Sequence, residues 1–511
     1  MLSFGNGSGP LQQDSTTSAH PRRGTVARAI ARARRPDREH MQALRRRVPY
    51  WFVVVLFFGF AALQIVLNPF GFSDLTQRYT QDISNLLVSG PYLYPQTGRG
   101  QVSVALVEDD TLSRLGMPWP WSYGLQARLL DTLLAYRPRA VIVDLLFVDP
   151  RRDDTLAELV DEIARYRRAH IPLYFTGAPD VAPGTPPLRR ELAETGVRVL
   201  DPTILVNQGI VRQYPATGQC FGARPHDRPC YSLALQVYAD LYPRAPLAPL
   251  HGLMEIVWGT RTNPTNAKWM RITDENGAAH SCGEHQDVSW MRRVYLAFFD
   301  PSSVRSSCPY SGVIPAQALL DGREDADVTA LAHNRVVFYG ASLSGVQDKS
   351  FTPVNGLIAS VFVHATALDN LISFHGRPQQ NVVSLGGFTL DNNMAQTIAI
   401  IPIILILAWM HMRALRTRRA RVQAGTVLEY LAGKALQSAW HWLAFALALA
   451  IGLALTLAAG LSVANWVAVV FVSVELAAML LIGLPAAIWG YLHHVAGGIP
   501  QFEVRQGEQR S

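Results

Sequence analysis

The sequence predicts an α/β domain held outside a membrane by four apolar helices. Three observations carry this. Apolar, β-branched runs alternate with segments of helical period between residues 101 and 175, which is the pattern of a parallel sheet with crossover helices. Four apolar runs, 49–67, 394–412, 440–461 and 466–490, are long enough to span a bilayer. Arginine clusters stand before the first run (Arg45, Arg46, Arg47) and after the second (Arg413 to Arg421). Positive charge stays on the cytoplasmic side, so 68–393 is expected outside and both termini inside.

The composition agrees. Hydrophobic residues make up 49% and charged residues 17% of the chain, a balance that leans toward a membrane protein. The formal net charge of +7 is localised. Residues 1–48 hold ten arginines against Asp14, Asp37 and Glu39, and 413–439 is again basic, while the region between is mildly acidic. The charge is therefore a topology signal. It argues for anionic lipids as partners of the arm and against nucleic acid.

Taken in order, a polar segment at 74–85 reads as a helix, and 101–107 as a strand ending in Glu108-Asp109-Asp110. Trp119-Pro120-Trp121 reads as a rigid turn. Residues 123–136 place Leu125, Leu129, Leu133 and Leu134 on one helical stripe. A buried strand at 140–143 ends in Asp144, a helix follows at 154–168 with Asp153 or Asp154 as N-cap, and the next strand is 171–175. Between 177 and 250 proline accumulates and only a helix at 232–242 is expected. Strands are expected at 253–257 and 293–299, with a polar insertion at 263–290 between them.

The chain is organised around 334–373. Residues 335–340 form an apolar run ended by Gly340, a small-residue loop follows, and 361–372 places Val361, Ala365, Leu368 and Ile372 on one helical face. The pieces Tyr339-Gly340-Ala341-Ser342, Thr352-Pro353 and His364-Ala365-Thr366-Ala367-Leu368-Asp369-Asn370-Leu371-Ile372 occur in that order. In this the chain resembles the CHASE type-two domain family, an extracellular sensory domain of bacterial membrane receptors. Val107 to Leu112, Trp119-Pro120-Trp121 and Asp144-Leu145-Leu146-Phe147 resemble its opening motifs. Glu108 replaces the family's first Asp, and Ser122-Tyr123 stands where the family has Pro-Arg. The resemblance also implies one membrane helix before the domain, three after it, and a short helix at 315–321.

Candidate chemistry is sparse. In a parallel sheet Glu108, Asp109, Asp144, Thr176 and Ser342 fall at the carboxyl ends of strands, where open α/β sheets bind ligands. His364, Asp369 and Asn370 form a second candidate group. Turn capping accounts for such residues equally well. No nucleophile–base motif accompanies them, so no catalytic residue, cofactor or metal is expected and the chain is not read as an enzyme. Cys220, Cys230, Cys282 and Cys308 all fall in the outside region, and an even count there favours disulfides. Sequential pairing is the simplest of three. His280, Cys282 and His285 could instead begin a metal site, but a structural zinc wants four ligands. Glu475 stands near the middle of the last apolar run, where a carboxylate needs a partner.

The expected organisation is a basic arm (1–48), a span (49–67), the outside domain (68–393), a second span (394–412), a basic cytoplasmic loop with a surface helix (413–439), spans at 440–461 and 466–490, and a tail (491–511). The expected function is a receptor of the bacterial inner membrane that senses an extracytoplasmic ligand. Only about twenty residues follow the last run. The output is therefore expected in trans, from a cytoplasmic or membrane partner docking on Arg416, Arg418 and Arg419 or on the Glu475 face. The alternatives are a scaffold binding another envelope protein and, behind it, a periplasmic enzyme.

Overall fold

The computed structural model describes residues 81–391, apart from 84, 150–152, 179–186, 222–228, 246, 249, 251, 274–278, 283–288, 307, 323–324, 347, 380–381 and 386–387, together with 443, 446, 447, 450 and 451. All of these belong to one compact unit, Ala62–Val474. The chain alternates through β1 (Val102–Glu108), α1 (Asp109–Leu115), α2 (Tyr123–Ala135), β2 (Ala140–Val143), α3 (Leu156–Arg168), β3 (Leu173–Thr176), α4 (Arg190–Glu194) and β4 (Arg198–Leu200). An excursion follows: β5 (Leu205–Asn207), β6 (Ile210–Pro215), α5 (Leu233–Leu241), β7 (Leu253–Glu255), α6 (Asn266–Trp269), β8 (Arg271–Thr273), β9 (Ala279–Ser281) and α7 (Trp290–Phe299). The chain returns with β10 (Gly312–Pro315), α8 (Ala316–Leu320), α9 (Ala326–Ala332), β11 (Val336–Ser342), β12 (Lys349–Thr352), β13 (Gly356–Ala359) and α10 (Val361–Ser373), and then β14 (Val382–Leu385) and β15 (Phe388–Asp391).

Six strands form one parallel sheet in the order β10-β1-β11-β2-β3-β4. Its strands are apolar on both faces because both faces are covered. Val102, Val104, Leu106, Val336 and Phe338 join a core with α5 and α10. Their neighbours Ala105, Val107, Val337 and Tyr339 join a second core with α2, α3, α8 and α9. The period-two alternation of the strands thus sorts side chains into two layers. Every residue of α10 is buried, since it is wedged between the sheet and α5. Its start comes so close to β11 that a Cβ on Gly340 would stand 2.9 Å from that of Val361.

The segment before β1 is tied down by polar contacts. The Arg212 guanidinium donates two hydrogen bonds of 2.8 Å to the Asp82 carboxylate, with both side chains nearly buried. Gln81 donates to Glu255. Cys220 bonds Cys230 and Cys282 bonds Cys308, and no described cysteine is free. Sequential pairing therefore holds, and Cys282 cannot serve as a thiolate ligand beside His280 and His285.

Three expectations are corrected. The expected strand at 293–299 is part of helix α7. Its aromatic and β-branched composition reads as strand, but Val294, Ala297 and Phe298 pack together on Ile83 and Leu87 at helical spacing. Neither Asp153 nor Asp154 caps α3, whose N-cap is Thr155. Asp153 instead accepts from the Tyr123 N–H at the start of α2 and from Thr155. The proline-rich stretch after 177 is not a bare loop, since it supplies α4, β4, β5 and β6.

The four expected spans lie outside the described residues except for Leu443, Ala446, Leu447, Ala450 and Ile451, which are helical and exposed. Among the described residues no helix is long and apolar enough to cross a membrane. Arg416, Arg418, Arg419 and Glu475 also lie outside the described residues.

Candidate functional site

The carboxyl ends of β11, β2, β3 and β4 open into a cleft of about 1070 Å³. Asp144 stands on its floor directly after β2, fixed by its own N–H, which donates to the Tyr339 carbonyl (2.7 Å). Thr176, the last residue of β3, also reaches the cleft, but its hydroxyl donates to the carbonyls of Val143 and Leu145 (both 3.3 Å). The first turn of α10 brings in His364. One wall is Trp119 and Trp121, joined through Pro120 by a cis Trp119–Pro120 peptide. Pro202 and Ile204 form another wall, and Asp149, Asp153, Asp348 and Lys349 ring the opening.

The geometry around His364 determines its tautomer. The Tyr214 hydroxyl lies 2.6 Å from His364 Nδ1 and already accepts the Ala234 N–H at 3.4 Å. A phenol has one proton to donate, and the network assigns it to Nδ1. Nε2 therefore carries the hydrogen and points toward Asp144 Oδ2, 3.9 Å away. That gap is too long for a hydrogen bond. Among the described residues the Asp144 carboxyl accepts none, although its side chain is only 9% exposed.

Burial drives both groups toward neutrality. It pushes the Asp144 carboxyl up to about 8, helped by the negative charge of Asp348. It pushes His364 down to about 3, against the opposing pull of Asp201. Asp348 is itself raised by burial, offset in part by a hydrogen bond from Ser360. At neutral pH the floor is thus a neutral imidazole beside a mostly protonated carboxyl, so the pair is not an ion pair.

Comparison with protein families decides the membership. The model of the CHASE2 domain matches residues 51–409, most of the chain. The chain belongs to the CHASE2 family. No curated protein and no solved structure matched it. CHASE2 is a family of extracellular sensory domains of receptors. Within this CHASE2 domain the three motif pieces are the end of β11, the turn after β12 and helix α10. The first and third reach the cleft through Ala341 and His364.

The expected site residues divide into three groups. Asp144 and His364 come together in the cleft. Glu108, Asp109 and Ser342 do not join them. Helix α1 begins directly at Asp109, so these groups are used at the helix start. The Glu108 N–H donates to Thr111 Oγ1 (3.4 Å), and the Ser344 N–H donates to Asp109 Oδ2 (3.0 Å). Ser342 pairs with Glu108 in the ladder between β11 and β1. Burial, then Asp110 and Asp109, push the Glu108 carboxyl up.

Asp369 and Asn370 lie at the other end of α10, among contacts with the chain before β1. The Tyr94 hydroxyl donates to Asp369 Oδ2 (2.6 Å) and Ser373 donates to Oδ1 (3.1 Å). Asn370 accepts from the Val257 N–H (2.9 Å) and donates to the Val257 and Thr366 carbonyls and to Tyr94 (2.9 to 3.0 Å). Asp348, Trp121 and Tyr214 are site residues that sequence reasoning missed. Tyr214 lies in the proline-rich stretch without period, and nothing in the sequence marks it.

Proposed function

We propose that this chain is a receptor of the bacterial inner membrane whose CHASE2 domain faces outward and binds a small ligand in the carboxyl-edge cleft. One observation carries the reading: Asp144, nine-tenths buried and without a hydrogen-bond partner among the described residues, faces His364 Nε2 across a gap on the floor of a large cleft. An unpaired buried carboxyl costs stability, and a ligand that supplies its missing partner offsets that cost. The reading is of binding without turnover. Native purification followed by small-molecule mass spectrometry tests it, comparing wild type with Val346→Trp, which places a bulky side chain at an exposed position of the cleft lining and should leave the near-ultraviolet circular dichroism unchanged. A ligand present only on the wild type supports the proposal, and one retained equally by both overturns it.

The membrane placement rests on the apolar runs and arginine clusters of the sequence. With Met291→Cys, exposed in α7, and Gly425→Cys in the basic loop, a membrane-impermeant thiol reagent should label only the first in intact cells. Labelling at 425 would overturn the topology. A ligand that moves α10 would displace the segments leading to the runs at 49–67 and 394–412. The signal would then be received by a partner on Arg416, Arg418 and Arg419 or on the Glu475 face, with differential contact in the two states. Reversing those three arginine charges should release the partner; its retention would remove that docking site.

A second reading, a scaffold for another envelope protein, is favoured by one surface. Helix α7 exposes Met291, Tyr295 and Phe299 in a single stripe, at 72%, 61% and 75%, and exposed apolar patches of this kind mark contact sites. Changing all three to Ser should release a co-purifying envelope protein if this reading holds.

A further inference from the structure

We infer that the ligand of the cleft is an organic cation, an ammonium carried on an aromatic or aliphatic body, with the ammonium against Asp144 and Asp348 and the body against Trp119. This rests on the proposal that the cleft is the sensory site and names the chemistry it selects.

The described lining residues include four carboxyl groups, Asp144, Asp149, Asp153 and Asp348, against a single exposed lysine, Lys349. Asp153 is already engaged by Tyr123 and Thr155, and Asp149 is exposed. That leaves Asp144, which has no hydrogen-bond partner among the described residues, and Asp348, which accepts only from Ser360 among them and whose negative charge helps hold the proton on Asp144. Lys349 forms no ion pair with either among the described residues. At neutral pH Asp144 is mostly protonated, and a cation beside it lets it ionise while offsetting the charge of Asp348. An anion would add negative charge beside Asp348, and a neutral ligand would leave that charge uncompensated.

With Nε2–H directed at Asp144 Oδ2 across 3.9 Å, His364 is a donor waiting for an ionised acceptor. An incoming ammonium ionises Asp144, and the carboxylate then accepts from the ligand on one side and from Nε2–H on the other. Trp119, half-buried at the cleft wall and backed by the buried Trp121 with ring centroids 5.8 Å apart, offers aromatic surface for an apolar body and for cation–π contact. Among the described residues no three His, Cys, Asp or Glu side chains are grouped so as to hold a metal ion; the aromatic wall beside the carboxyls suits a cation with an organic body.

Binding is then linked to a proton. The charged and titratable groups around Asp144 are His364, Asp348, Lys349, Asp149, Asp153 and, beyond the imidazole, Tyr214 and Asp201. Asp144 holds its proton up to about 8, so below that pH the ammonium must displace it. Affinity for a cation should rise about tenfold between pH 6.5 and 8.

The test is calorimetry on the full chain in detergent, with 2-phenylethylammonium, hexylammonium and tetramethylammonium as probes. The alcohol 2-phenylethanol and the anion 3-phenylpropionate are the controls. At least one ammonium should bind with release of about one proton per ligand at pH 7 and shift the tryptophan fluorescence. Asp144→Asn should weaken it about tenfold or more and abolish the proton release, with unchanged near-ultraviolet circular dichroism. Asp348→Asn should weaken it without abolishing the release. The inference is overturned if the alcohol or the carboxylate binds as tightly as the ammonium ions, if binding releases no proton, or if no ammonium binds at about 10 mM. Val346→Trp, at an exposed position of the cleft lining, separates the two claims. If 3-phenylpropionate binds and Val346→Trp blocks it, the cleft remains the ligand site and only the cation falls. If binding survives Val346→Trp, both fall.

Discussion

The two ends of helix α10 carry the same kinds of residue in opposite conditions. At its far end Asp369 and Asn370 are buried, and the chain satisfies them. Tyr94, Ser373, Thr366 and Val257 take up both oxygens of the first and both ends of the amide of the second. At its first turn His364 has one nitrogen engaged by Tyr214, and the other faces Asp144 across a gap. A buried polar group closed by its own chain contributes to the fold. One left open at a cleft costs stability until something binds. The contrast separates a structural cluster from a binding site on a single element.

The largest effect is expected where the comparison is broken at the closed end. Asn370→Ala removes the amide that serves both the N–H and the carbonyl of Val257, leaving these buried groups without a partner. It should cost about 3 kcal/mol of domain stability by guanidinium unfolding. Gly98→Ala is next. A Cβ there would stand 1.5 Å from Asp369 Oδ1, so the substitution must displace that carboxyl from Tyr94. A loss of about 2 kcal/mol is expected from overpacking, and a neutral result would show that the closed end is loosely held.

The smallest effect concerns pH and sharpens the open end. Asp144 titrates at about 8 in the fold against an ordinary carboxylate value of 3.8, so between those values the folded state holds the extra proton. Its contribution therefore falls as pH rises through that window. Asp369, raised by burial to about 7 against the pull of Tyr94 and Ser373, acts in the same sense up to about pH 7. His364, lowered to about 3 from 6.5, acts in the opposite sense and only below pH 6.5. From pH 7 to 8 Asp144 is left, and wild type should lose about 1 kcal/mol that Asp144→Asn does not. Parallel unfolding curves of the two proteins at pH 7 and 8 measure the difference.

Much of the sheet was legible because its strands are short apolar runs ended by turn residues. The helices α2, α3 and α10 were legible from their period and length. The excursion between β4 and β10 was not. Its strands, apart from β6, are only three residues long, and α7 is apolar on its exposed face as well as its packed one, which erases the helical signal. The site was legible in part. Asp144 and His364 come from the strand-end and motif positions that sequence singles out. Glu108 and Asp109 look equivalent in sequence, but α1 begins without a loop and spends them at its start. Asp348 and Tyr214 enter the site through tertiary placement, which no local pattern carries.

The most direct test of the account is the unfolding free energy of ligand-free Asp144→Asn at pH 8, measured beside Asn370→Ala. If the open end exists for a ligand, Asp144→Asn is as stable as wild type or more so, while Asn370→Ala is destabilised by about 3 kcal/mol. If Asp144→Asn loses as much as Asn370→Ala, the carboxyl at the cleft is a structural group like its counterpart, and the account is wrong.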